Sequence, residues 1–248
     1  MIEVRGLTKR FGDVAAVDDV SFDVAPGEVF GLLGPNGAGK TTTLRVLATL
    51  LHADGGRASV AGHDVAREGE AVRRSIGVVN GGMGLYDRLD GREVLHYFGR
   101  MYGMERGAID RRIAELDGLL DLSATLGKRC GEFSTGMKQK IVIARAVLHD
   151  PPVLFFDEAT SGLDVMARRA VLDFCRAYPG EARAVVYSTH VMGEVEELCD
   201  RLAILYRGRV IADDTVAGLT EAAGEADLER AFFTLVRRSG LATEGVAA

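Results

Sequence analysis

Gly34-Pro35-Asn36-Gly37-Ala38-Gly39-Lys40-Thr41 is the stretch that decides the fold. It satisfies G-x-x-x-x-G-K-[ST], and its flanks match the context that the pattern demands. Before it runs Val29 to Leu33, a short apolar segment with Gly31 inside, the composition of a buried strand. After it comes an apolar helical stretch, Thr42 to Leu51. Strand, glycine-rich turn and helix in that order build a cradle for phosphate. Gly34, Gly37 and Gly39 let the backbone curl so that successive N–H groups face an anion. The helix beginning near Lys40 turns its positive end to the same place. Lys40 adds a mobile charge for the outer phosphates, and Thr41 offers a hydroxyl to Mg²⁺.

Downstream, Val153-Leu154-Phe155-Phe156-Asp157-Glu158 is an apolar strand that ends in two carboxylates. Many buried strands end in a solvated acid, so the pair alone assigns nothing. With a phosphate loop upstream, Asp157 is placed to hold Mg²⁺ and Glu158 to orient or deprotonate an attacking water.

The remaining composition bounds the reading. The chain has 248 residues, 47% hydrophobic and 27% charged, enough for one large domain with a sizeable core. A net charge of −6 argues against a nucleic-acid partner. Cys130, Cys175 and Cys199 are odd in number and widely spaced, which suggests neither a disulfide framework nor a zinc site and fits a reducing cytosol. Met1 to Arg10 has no apolar run, so no secretory signal is expected. No stretch approaches the length of roughly 18 apolar residues that spans a bilayer.

Along the chain, residues 1–25 alternate loosely as short strands with a turn at Phe11-Gly12-Asp13, and Arg57 to Gly62 reads as another strand and turn. From Arg92 the apolar period becomes helical, with Val94, Leu95, Phe98, Met101 and Tyr102, then Ile113, Leu116, Leu119 and Leu120. Pro151-Pro152 closes that block. Strand–helix units resume, with helices near Val165–Tyr178 and Val191–Leu198, and a hairpin turns at Arg207-Gly208. Residues 215–248 carry one amphipathic helix, Leu228 to Val236, and an alanine- and glycine-bearing tail.

Three further motifs fall in order around this core. Phe133-Ser134-Thr135-Gly136-Met137-Lys138-Gln139-Lys140 resembles the LSGGQ signature of ABC ATPases, Ser161-Gly162-Leu163-Asp164 resembles their D-loop, and Ser188-Thr189-His190 resembles their switch histidine. Order and spacing fit over roughly residues 1–215. The resemblance implies an α/β fold: a P-loop NTPase core of the ABC type with an N-terminal antiparallel β subdomain and an inserted α-helical subdomain. It places core and β subdomain in 1–80 and 150–215, the helical subdomain in 81–149, and a C-terminal helix and tail in 216–248.

It also implies an ATP site. Phe11 sits where the family places an aromatic ring against adenine, although a lone aromatic there is also compatible with simple core. Gly34, Pro35, Asn36, Gly37, Ala38, Gly39, Lys40, Thr41 and Thr42 hold the phosphates; Glu158, His190 and Lys40 are the catalytic set. Ser134, Thr135, Gly136, Met137 and Asp164 face the γ-phosphate held by a second subunit, in a homodimer or heterodimer. Ser134 also reads as the N-cap of a helix over 136–148, since cap and anion site use the same free N–H groups.

Two departures stand out. Thr135 replaces the first glycine of the signature and Met137 its glutamine. In Ile76-Gly77-Val78-Val79-Asn80-Gly81-Gly82 the family's Mg²⁺- and water-linking glutamine falls on Gly81, so either Asn80 substitutes as a metal ligand beside Thr41 and Asp157 or water fills the gap. Together with Gly84-Leu85-Tyr86-Asp87-Arg88-Leu89 and Gly91-Arg92-Glu93, these motifs resemble the ATPases of bacterial sodium-extruding (NatA-like) two-component ABC-2-type exporters. That subgroup implies a separate multi-helix membrane permease, a seat on the cytoplasmic face of the membrane, and export of sodium or a drug-like compound. A cytosolic ABC ATPase without a transport role and an ATP-responsive regulator are the rival readings.

Overall fold

The computed structural model describes residues 1–241; the end of the expected C-terminal tail lies outside them. In chain order the elements are β1 (Ile2–Phe11), β2 (Val14–Val24), β3 (Val29–Leu33), α1 (Lys40–Leu47), β4 (Gly55–Val60), β5 (His63–Asp64), α2 (Gly69–Ser75) and β6 (Ile76–Asn80). Four helices follow: α3 (Gly91–Met101), α4 (Arg106–Leu120), α5 (Ser123–Leu126) and α6 (Thr135–Val147). The chain then runs through β7 (Val153–Asp157), α7 (Val165–Ala177), β8 (Ala184–Thr189), α8 (Met192–Leu198), β9 (Arg201–Tyr206), β10 (Arg209–Asp214), α9 (Val216–Ala223) and α10 (Leu228–Arg238).

These elements form two sheets. β2-β1-β4-β5 is antiparallel, while β10-β9-β3-β8-β7-β6 is parallel except for β10 at its edge. Every residue of β3 and β8 is buried, as central parallel strands covered on both faces should be. Strand periodicity divides β7 between two cores. Val153 and Phe155 face the space between the sheets, with Phe22, Phe30 and Leu44 of α1. Leu154 and Phe156 face the other way, into a core shared with Leu95, Ile113, Ile141 and Val147 of the helical block. The phosphate-loop helix is therefore clamped between two sheets. α9 and α10 cover the outer edge, packing Leu219, Leu228 and Phe232 against Leu33, Leu202 and Ile204.

Local signals explain the helix starts. Asp90 and Glu93 form a reciprocal capping box on α3, each side chain accepting from the other's backbone N–H at 2.8 and 2.9 Å. Asp164 caps α7 by accepting from the Ala167 N–H at 2.8 Å.

The structure corrects four expectations. The helix after the phosphate loop starts at Lys40 as expected but stops at Leu47, short of Leu51, because Thr49 takes a left-handed conformation with φ 60°. The C-terminal segment holds two helices instead of one, since Thr215 caps α9 through the Gly218 N–H at 3.0 Å. α2 occupies a stretch with no helical expectation. The helix behind the signature spans Thr135–Val147 instead of 136–148, while Ser134 is its cap as expected, through the Met137 N–H at 3.2 Å.

Candidate functional site

β3 delivers the chain into the glycine-rich loop, and α1 leaves it with Gly39 as cap at φ 105°. That conformation suits glycine alone. Crowding imposes the same choice: a β-carbon at Gly34 would overlap the Leu205 carbonyl oxygen, and one at Gly39 the carbonyl oxygen of Ala16. The loop is also bonded to its surroundings. The Gly208 N–H donates to the Ala38 carbonyl at 2.9 Å, and the Asp18 N–H donates to the Gly208 carbonyl at 2.8 Å.

Over the loop opens a recess of about 380 Å³, lined by Phe11, Ala16, Asn36, Gly37, Ala38, Gly39, Lys40, Thr41, Thr42 and Glu158. Phe11 ends β1 and is half exposed, which removes it from the core; the Lys9 ammonium lies 5.6 Å above its ring. Lys40 is almost fully buried, and its ammonium donates to the carbonyls of Gly34 and Pro35 at 2.7 and 3.1 Å. Burial lowers its pKa below the ordinary value, opposed by the neighbouring carboxylates of Glu158 and Asp157. Glu158, just beyond β7, has a left-handed backbone with φ 49°. Its carboxylate lies 3.5 Å from the Lys40 ammonium and 3.5 Å from Nδ1 of His190.

A second recess, about 320 Å³, adjoins the first through Thr41 and Glu158 and is also lined by Arg45, Asn80, Gly81, Gly82, Asp157 and Ser161. Parallel register sets Asn80, Asp157 and Ser188 side by side on β6, β7 and β8. Oδ1 of Asp157 accepts from the hydroxyls of Thr41 and Ser188, both at 3.0 Å. Oδ1 of Asn80 is buried and meets no hydrogen-bond partner among the described residues. An orphaned amide oxygen beside a carboxylate and a threonine hydroxyl is a hard-oxygen donor set, and it fits Mg²⁺. Among the described residues no cluster of three His, Cys, Asp or Glu could hold a metal.

The signature residues stand apart from both recesses. Ser134, Gly136, Met137 and Asp164 line a separate groove of about 970 Å³ between the helical block and α7. Thr135 is exposed at the start of α6. Within one chain, then, Phe11, the loop, Glu158 and His190 come together, with Thr41, Asn80 and Asp157 beside them; the Ser134 group does not join. Sequence reasoning missed Ser188 as a partner of Asp157 and Arg45 in the second recess. No helix among the described residues is long and apolar enough to cross a membrane.

The phosphate loop between two sheets, with an acidic strand end beside it, defines a nucleotide-hydrolysing ATPase. The comparisons give the family: the profile described as "ABC transporter" matches residues 17–161. The ATP-binding protein NatA of Bacillus subtilis (strain 168) is 40% identical over 243 residues, 96% of this chain and 99% of that protein. The daunorubicin resistance ATP-binding protein DrrA3 of Streptomyces coeruleorubidus is 42% identical over 223 residues, 90% of this chain and 71% of that protein. A solved ATP-binding subunit of an ABC transporter superposes with TM-score 0.86 at 32% identity, covering 95% of this chain and 99% of its own. A dimeric ATP-binding cassette in a post-hydrolysis state, bound to ADP and phosphate, superposes with TM-score 0.76 at 23% identity, covering 87% and 98%. The chain belongs to the ABC transporter family. It is the ATP-binding and ATP-hydrolysing subunit.

Proposed function

We propose that two copies of this chain, or this chain and a homologous ATPase, bind two ATP molecules between them and drive export through a separate multi-helix permease. The observation that carries the site assignment is Glu158, poised 3.5 Å from both Lys40 and His190 at the mouth of the phosphate recess. Phe11 stacks on adenine, and residues 34–42 with Lys40 take the phosphates. Thr41, Asp157 and Asn80 would hold Mg²⁺, which would neutralise phosphate charge when bound. When ATP arrives, Lys40 exchanges its carbonyl partners for phosphate oxygens. Glu158, released from Lys40, orients the attacking water and accepts its proton. His190 steadies the γ-phosphate.

Separation of the Ser134 group from the loop within one chain supports a second subunit. The α6 N-terminus, with Ser134, Thr135, Gly136 and Met137, and Asp164 at the start of α7 then complete the partner's site. Residues 1–80 and 150–215 act as core and β subdomain, 81–149 as the helical subdomain, and 216–248 as a C-terminal appendage. Residues 80–91 and the helical subdomain form the surface for the permease. That surface exposes Tyr86, Tyr97, Met101 and Tyr102, the aromatic and methionine-rich composition that protein interfaces favour. Docking there places the chain on the cytoplasmic face of the membrane. Export of sodium or a drug-like compound is what the subgroup resemblance implies, and the drug-resistance name of one relative supports the second; the substrate site is on the permease. Nucleic acid is not expected as a partner, in keeping with the net charge of −6.

The test is capture of tagged chain from gently solubilised native membranes, with an ATPase assay on the eluate. A stoichiometric multi-helix permease and Mg²⁺-dependent hydrolysis support the proposal. An active ATPase with only soluble partners would move the chain to a cytosolic role.

A further inference from the structure

Behind the acidic pair lies a carboxylate with no part in the site as assigned. Glu194 stands in the first turn of α8 and is 2% exposed. Burying a carboxylate is costly unless its lone pairs are met. Here they are met by four side chains. Oε1 accepts from the Thr160 hydroxyl at 2.9 Å and lies 3.4 Å from the Arg168 guanidinium. Oε2 accepts from the Tyr187 and Thr189 hydroxyls at 3.0 and 2.9 Å.

Those partners belong to the working segments. Thr160 follows Glu158 by two residues, and Thr189 immediately precedes His190. The Thr189 hydroxyl also accepts from the Val191 N–H at 3.0 Å, which binds the turn carrying His190 from both sides. Arg168 sits one helical turn beyond Asp164 and donates its backbone N–H to the Asp164 carbonyl at 2.9 Å. Tyr187 rises from the middle of buried β8, and burial pushes its phenol pKa up, so it remains a donor. One buried acceptor thus joins the loop of Glu158, the turn of His190 and the helix that Asp164 caps. Removing the carboxylate alone would cost stability, because its partners stay buried. It would leave three buried hydroxyls without their shared acceptor.

We propose that Glu194 is a positioning residue for hydrolysis, fixing the spacing of Glu158 and His190 and coupling both to the start of α7. It acts through its neighbours and rests on the roles given to Glu158 and His190 above. The phosphate loop is not in its network, so nucleotide binding is unaffected by its loss.

The experiment measures kcat and KM for ATP on the full chain as wild type, Glu194→Gln, His190→Ala and the double variant, with thermal melts confirming folding. Glu194→Gln should lower kcat about tenfold with KM within about twofold, as expected of a displaced catalytic group. In the His190→Ala background the same change should lower kcat by clearly less than tenfold, because part of its effect passes through His190. Wild-type kcat in folded Glu194→Gln, or effects that multiply in the double variant, would overturn the inference while leaving the His190 assignment standing. If His190→Ala itself hydrolyses ATP at the wild-type rate, the site assignment falls and the inference with it. Should Glu194→Gln fail to fold, Thr160→Val deletes one donor at nearly constant volume and carries the same expected split between kcat and KM.

Discussion

Lys40 and Glu158 hold one another at 3.5 Å across the floor of the phosphate recess, the lysine buried and the glutamate one-third exposed. In the proposed site these two groups serve different atoms of the same nucleotide. Burial lowers the Lys40 pKa and Coulomb attraction to Glu158 opposes that lowering; in the proposed mechanism γ-phosphate takes the place of this pairing. Glu158→Gln removes the base and keeps the shape. Turnover should fall by about 10²–10⁴, the usual cost of a lost general base, while ATP binding followed by fluorescence persists. Wild-type turnover would dismiss Glu158 as the base.

Burial of Lys40 has a signature in pH. Its pKa in the folded chain lies below the ordinary 10.5, so between those two values the unfolded chain binds more protons. Stability contributed by this group therefore rises with pH across that window. In urea titrations from neutrality towards pH 10.5, wild type should gain stability relative to Lys40→Met. A constant difference would mean that burial does not dominate at this lysine.

Asn80 and Gly81 make separate predictions. Asn80→Ala removes the unpartnered amide oxygen beside Asp157, and the Mg²⁺ concentration for half-maximal ATPase activity should rise several-fold. Gly81→Gln restores the residue common in the family, yet a β-carbon there would lie 2.8 Å from the Glu158 carbonyl oxygen. It should slow kcat by roughly tenfold or more by moving Glu158. A gain in activity would show that this loop yields instead.

Phe11 stands exposed at the rim, so its replacement costs no core packing. Phe11→Ala should weaken ATP by about 1–3 kcal/mol, the range for loss of an aromatic platform under a base, with the melting temperature of the nucleotide-free chain unchanged. An unaltered Kd measured by calorimetry would place adenine elsewhere.

What could be read in advance followed chain distance. Residues 34–41 are consecutive, so their pattern and flanks carry strand, turn and helix at once. The acidic pair needed only the apolar run before it. Ser188 beside Asp157 could not be read, because that contact depends on the register of two strands separated by a helix. Glu194 was further out of reach, its four partners spread from Thr160 to Thr189. The split between α9 and α10 was legible in principle. Thr215 is a capping residue, and a reading keyed to apolar period passes over it.

One contact pair extends the nucleotide site beyond its own walls. Gly208 donates to the loop at Ala38 and accepts from Asp18, so a hairpin turn on the far side of β9 is spliced into the loop's backbone. Changes in this turn are then expected to reach the loop, though Gly208 does not line the recess. A side chain at Gly208, where φ is 80° and the carbonyl oxygens of Ala15 and Ala16 crowd the β-carbon position, is expected to strain the turn and disturb the loop bonded to it.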